Sequence, residues 1–184
     1  RSVSRGLGDV YKRQLQYGVT SLLFLLFGFL LMAVMRYQLA YPETVIPYIG
    51  EWFFSESGGV MLPENYNTLG AMHGTIMIFL GVVPLAVGAF GNYLVPLQIG
   101  APDMAFPKLN AASYWSYFVG GVIMISSFFT PEGAARSGWT SYPPLSIFES
   151  GQTMWLLSMI FLITSSLLGS CLLYTSDAAD DLWC

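Results

Sequence analysis

Charged residues are scarce in this chain. Asp, Glu, Lys and Arg together make up 10% of its 184 residues, whereas soluble domains carry roughly a quarter. That shortfall excludes an ordinary water-soluble domain. Histidine occurs once, as His73, so no metal site with several imidazole ligands can close within these residues. Cysteine occurs twice, at Cys171 and Cys184, with no CxxC or Cys/His pattern, so neither a zinc site nor a disulfide framework is indicated. Lys and Arg number 7 against 11 Asp and Glu, and no nucleic-acid partner is expected.

What the chain has in abundance is apolar surface. It is 54% hydrophobic and 16% aromatic, with a mean hydropathy of +0.57. Its length is therefore better counted in bilayer spans of about 20 apolar residues each. Hydropathy predicts four helices, over about residues 17–39, 68–97, 112–129 and 153–170. In lipid only a helix satisfies the backbone of such runs, so the predicted fold is an all-α, polytopic transmembrane bundle. The second helix is longer than a bilayer requires and contains Pro84, which predicts tilt or a kink. The first loop (Glu43, Glu51, Glu56, Glu64) and the third (Glu132, Arg136, Glu149) are acidic overall, while the short middle loop holds Lys108 and Asp103. We place the longer acidic loops outside and the compact loop inside.

The two ends differ in origin from the middle. Asp9 to Gln14 (DVYKRQ) back-translates as gat gtg tat aag aga cag, and its reverse complement, read one base over, encodes Cys-Leu-Leu-Tyr-Thr-Ser, which is Cys171 to Ser176. One DNA element in opposite orientations accounts for both ends, as in the adaptors of sequencing libraries. Residues 1–14 and 171–184 are accordingly set aside as non-native flanks, and no signal peptide is visible because the N-terminus is not a natural one. Between them only Arg36, Lys108 and Arg136 are basic, against seven acidic residues. Residues 15–170 are read as part of something longer.

Each chemical group in that insert has a plain reading beside a functional one. His73 sits near the outer end of the second helix, where an imidazole can simply bond a neighbouring helix; an intramembrane ionisable group is also a functional candidate. A haem iron needs one axial imidazole from each of two helices, so His73 alone can supply half of such a site. Gly74, Gly81 and Gly88 recur every seven residues, and Gly70 with Gly74 makes a GxxxG. Such a stripe admits a neighbouring helix or a flat macrocycle beside His73. Arg36 either snorkels to the interface or donates to a cofactor's polar edge. Asp103 is either a solvated turn residue or, with the amides Asn92 and Asn110, part of a water-filled proton entrance. Trp139 and Tyr142 follow the third helix on the side of His73. Trp52, Tyr114, Trp115 and Trp155 fit an interfacial aromatic belt.

The stretches NYNTLGAMHGTIMIF, GAFGNYLVPLQIGAPDMAFPKLN and GWTSYPPL, in this order, resemble subunit I of the haem–copper oxidases, close to the cytochrome c oxidase type. The resemblance covers nearly all of residues 15–170 and implies the N-terminal third of a typically twelve-helix subunit. It implies that His73 is an axial ligand of the low-spin haem iron, that Arg36 contacts the periphery of that haem, and that Trp139, with Tyr142 nearby, lies beside its propionates. It implies that Asp103 stands at the mouth of a proton-uptake pathway with Asn92 and Asn110 as amide neighbours. The activity implied is reduction of dioxygen to water coupled to proton pumping, in a bacterial cytoplasmic membrane, with oxidase subunits II and III as partners. The high-spin haem ligand, the copper-ligating histidines and the cross-linked tyrosine of the family are absent from this sequence. The fragment alone therefore has no catalytic residue of the binuclear centre and is expected to be inactive.

Quinol-oxidising members carry a His and a Gln shortly before the haem ligand, where this chain has Asn65 and Thr68. That departure favours cytochrome c as electron donor. The alternatives are a quinol oxidase of the same superfamily and a non-redox transporter or structural bundle. For the flanks, sequencing the parent DNA across both junctions is expected to reveal an inverted repeat; its absence rejects the flank assignment.

Overall fold

The computed structural model of the chain describes residues 3–100, 104, 106–131, 133–147 and 149–181. Among them four helices are long and apolar enough to cross a membrane, with spans at Tyr11–Ala40, Pro63–Ile99, Pro107–Phe129 and Ser150–Leu173. The full helices are α1 (Val3–Ala40), α2 (Pro63–Ile99), α3 (Pro107–Ser126) and α4 (Glu149–Asp181). No strand occurs among the described residues. The protein is an all-α integral membrane bundle.

α1, α2 and α4 outrun at both ends the apolar stretches that hydropathy marks, while α3 starts earlier and passes at Ser127–Phe129 into a tighter 3-10 turn. The reason is local chemistry that a hydropathy window does not see. α2 and α3 both open on a proline, whose missing N–H costs nothing in a first turn and whose φ is already helical. α2 stops at Gly100, which adopts the left-handed conformation (φ 67°) and returns its N–H to the last turn. α1 begins at Val3 and α4 ends at Asp181, so helical winding crosses both flank boundaries.

The effect of Pro84 differs from a simple kink. The middle of α2 is wound as π-helix, over Ile76–Val82 and again over Pro84–Gly91, with hydrogen bonds that reach back five residues instead of four. Pro84 has no N–H to offer the carbonyl of Leu80 four residues earlier. Tyr117 of α3 donates to that carbonyl, its hydroxyl 2.7 Å from the Leu80 oxygen. Ser21 of α1, 3.3 Å away, in turn donates to the Tyr117 oxygen. Three helices thus meet at one backbone carbonyl.

α1 packs along α2 through missing side chains. A Cβ on Gly81 would overlap Leu25, and one on Gly88 would overlap the ring of Tyr17. Tyr17 itself stacks on Tyr117 (centroids 5.4 Å apart) and meets the edge of Tyr114 (5.2 Å), which forms the aromatic centre of the bundle. α3 and α4 are the most closely packed pair, and their interface is polar. Ser113 and Ser165 each donate to the other's carbonyl at 2.8 Å. Ser116 donates to the Phe161 carbonyl at 2.7 Å, and Ser158 to that of Gly120 at 2.6 Å. Such bonds hold helices together in lipid, where apolar contact gives no preference for a neighbouring helix over a lipid tail. On the outside, Leu22, Leu23, Leu26 and Phe29 of α1 are exposed.

The loops at the acidic end close over the bundle. Between α1 and α2, a single turn of helix (Gly50–Phe53) packs Ile46, Phe54 and Met61 on Met35 and Leu69. Between α3 and α4, Ala134 and Ala135 are buried, and the buried amide of Gln152 accepts from Ser137 at 2.7 Å. Substitution Gly88→Val puts a branched side chain into the Tyr17 ring, and such overpacking costs typically 1–3 kcal/mol. We expect a lowered unfolding midpoint in detergent of the full-length protein; an unchanged midpoint rejects the close α1–α2 approach.

Candidate functional site

His73 lies on α2, about 15 Å from its N-terminal end at 1.5 Å per residue. The imidazole is half-buried, and its Nδ1 stands 2.9 Å from the backbone carbonyl of Gly28 on α1. A carbonyl oxygen can only accept, so the proton of this bond sits on Nδ1, and in the neutral ring with this tautomer Nε2 keeps its lone pair. The carbonyl comes this close because Gly28 has no Cβ: one would sit 2.7 Å from the Met77 sulfur. On the other flank of the histidine, a Cβ built on Gly74 would meet nothing within 4 Å. The ring is therefore fixed from the α1 side, while the neighbouring position on α2 is open. Metal-ligating imidazoles usually have their second nitrogen tied to a carbonyl or carboxylate, so His73 could ligate through Nε2.

Among the described residues, none of the others named with His73 is hydrogen-bonded to its ring. Arg36, close to the end of α1, is exposed, and no described residue pairs with its guanidinium. Trp139 is 58% exposed and packs edge-on against Phe79 at 6.0 Å, further along α2 than His73. The loop that carries it turns back toward the middle of α2 instead of standing at the helix ends, with Gly138 against Ala71 (3.9 Å). Tyr142 is 73% exposed. Arg136 bonds Glu64 in the first turn of α2 at 3.2 Å, a surface pair that tethers this loop for about 0–1 kcal/mol. No group of three or more His, Cys, Asp or Glu side chains converges among the described residues.

The second cluster forms at the end of the bundle with the short loop. Asn92 and Asn110 are both buried, and Asn110 Nδ2 donates to Asn92 Oδ1 at 2.5 Å. Asn92 spends its own Nδ2 on the carbonyl of Gly88, also at 2.5 Å. The structure thus joins the two amides across α2 and α3. Asp103 lies outside the described residues. The amide pair borders a cavity of about 320 Å³ that Tyr17, Ser113 and Ser165 also line, room for several waters. Tyr17 donates to Ser113 at 2.8 Å, which carries polar contact from α3 to α1. These three residues escaped the sequence reading. A signal for one of them was present: Asn110, Ser113 and Tyr117 recur at three- and four-residue steps along an otherwise apolar α3.

Residues 12–177 match the family described as Cytochrome C and Quinol oxidase polypeptide I. The chain belongs to that family. It is 47% identical over 158 residues to cytochrome c oxidase subunit 1 of Synechocystis sp., covering 85% of this chain and 26% of that relative. The subunit of the same name from Thermostichus vulcanus is 46% identical over 158 residues, again 85% of this chain and 26% of the relative. That of Corynebacterium efficiens is 57% identical over 83 residues, 45% of this chain and 14% of the relative. The chain spans about a quarter of the length of the first two curated relatives.

Removal of one amide leaves the other's buried polar atom without its partner, which costs about 1–3 kcal/mol. Asn110→Ala is expected to destabilise the full-length protein to that extent in detergent unfolding. The Asn92→Ala/Asn110→Ala double variant should lose less than the sum of the two single changes. Additive losses reject the pairing.

Proposed function

We propose that this chain is part of the catalytic subunit of a terminal respiratory oxidase, which reduces dioxygen to water with electrons from cytochrome c and moves protons across the membrane. The observation that carries the reading is the imidazole of His73, fixed at Nδ1 by the Gly28 carbonyl with Nε2 unused. Membership of the family and the names of the cyanobacterial relatives support it.

The residues present fit one side of a low-spin haem. Nε2 of His73 would ligate the iron, and the open position at Gly74 leaves room beside it. When bound, such a haem supplies reversible one-electron chemistry at its iron. The Gly28 carbonyl fixes the tautomer and plane of the imidazole. Arg36, whose guanidinium no described residue pairs with, is suited to a carboxylate at the haem edge. The indole N–H of Trp139 and the hydroxyl of Tyr142 are further donors for the same edge. The residues do not fit a copper centre. His73 is the only histidine in the chain, so we assign no step to copper, and the ligands of the high-spin haem and copper belong to sequence outside this chain.

For the proton path, Asn92 and Asn110 fix a polar wall on the cavity at the short-loop end, and Ser113 extends it toward Tyr17. Asp103 is assigned the entrance by its place between these amides in the chain. Cytochrome c is favoured over quinol as the donor. Asn65 and Thr68 stand where quinol oxidisers carry His and Gln, and the Thr68 hydroxyl is spent on its own helix, donating to the Glu64 carbonyl at 2.9 Å. Subunits II and III and the lipids of a bacterial cytoplasmic membrane complete the assembly.

Reduced-minus-oxidised spectra of the full-length protein test the reading. A low-spin haem band is expected, and His73→Ala should abolish it; a band that survives the substitution rejects the axial assignment. Asp103→Asn is expected to slow turnover and proton uptake on the order of tenfold or more. Quinol oxidation without cytochrome c overturns the donor assignment.

A further inference from the structure

Tyr117 lines the cavity beside the Asn92–Asn110 pair and is among the most deeply buried polar side chains in the bundle (1% exposed). Its hydroxyl donates to the carbonyl of Leu80 at 2.7 Å. Leu80 is fully buried (0% exposed) in the π-wound part of α2, four residues before Pro84. An ordinary residue at position 84 would offer that carbonyl an N–H in α-helical register; proline cannot. The phenol has little freedom to do anything else. Ser21 holds its oxygen from the α1 side at 3.3 Å, Tyr17 stacks on its ring at 5.4 Å, and Phe24 meets the ring edge-on at 5.9 Å.

The place of this contact along α2 matters as much as its partners. His73 lies before the π-wound stretch and Asn92 just after it. Their relative direction about the helix axis therefore depends on where α-winding gives way to π-winding. Moving that boundary by one residue exchanges a π-step for an α-step and turns one site against the other by about 15–20°. His73 must face Gly28 on α1 while Asn92 faces Asn110 on α3, and such a turn would strain one contact or the other.

We propose that Tyr117 is a positioning residue: its hydroxyl stands in for the N–H that Pro84 lacks and locks α2 in the winding that aims His73 and Asn92 at their separate partners. The backbone role stands on the geometry alone, and the consequence for the haem ligand rests on the oxidase reading above.

The test uses the full-length protein and pairs Tyr117→Phe with Pro84→Ala, which gives position 84 an N–H. Hydrogen exchange of the amides between Gly81 and Gly88 is expected to speed up about three- to tenfold in Tyr117→Phe, and by less than twofold when the same change is made in a Pro84→Ala background. No acceleration, or equal acceleration in both backgrounds, overturns the substitution of hydroxyl for N–H. The low-spin haem band of Tyr117→Phe is expected to shift or broaden; an unchanged band alongside faster exchange overturns the positioning of His73. Absence of any haem band in the unaltered protein rejects the oxidase reading instead, and the exchange comparison still decides the backbone role.

Discussion

Inside a bilayer a backbone carbonyl that loses its helical donor has no water to turn to, and this constraint organises the bundle around Leu80. Pro84 offers no N–H there, Tyr117 donates to the Leu80 carbonyl from α3, and Ser21 supports Tyr117 from a third helix. The same economy runs through the other helix contacts. His73 ends on the carbonyl of Gly28, Ser158 on that of Gly120, Ser116 on that of Phe161, and Ser113 and Ser165 on each other's. A helical carbonyl has a second lone pair beyond its ladder bond, so a polar side chain can be satisfied on a neighbouring helix without a dedicated polar partner. The interior stays apolar in composition while holding several side-chain donors.

Glycine decides which sides of α2 are closed. At Gly81 and Gly88 the absent Cβ is filled by Leu25 and Tyr17 of α1, and Gly28 brings its carbonyl to His73 by the same means. Gly74 breaks the pattern, since no atom lies where its Cβ would reach. One stripe of small residues therefore serves two purposes along its length: helix packing toward the short-loop end, and open space beside the imidazole.

The four spans were legible because a bilayer imposes a length and an apolarity that any hydropathy window detects. Their ends were not, because Pro63 and Pro107 look like breakers and act as first-turn residues. His73 and the amides Asn92 and Asn110 stood out as polar groups in apolar surroundings, and the amides do meet. Gly28 was invisible as a partner, since a backbone carbonyl carries no side-chain signature. Trp139 was placed after α3 on the side of His73; its contact with Phe79 needs the tertiary fold, since nothing local in the sequence marks it. The π-winding of α2 had one local sign, Pro84, which by itself points equally well to a kink.

The serine contacts between α3 and α4 bear on the order in which the chain assembles. Those two helices follow one another in sequence, as do α1 and α2, so each hairpin can close soon after its second member enters the bilayer. The bonds from Tyr17 to Ser113 and from Ser21 to Tyr117 join segments 96 residues apart and need both hairpins in place. The tyrosine cluster thus acts as the latch of a two-step assembly. The Leu80 carbonyl therefore gains its α3 donor only once the second hairpin docks on the first.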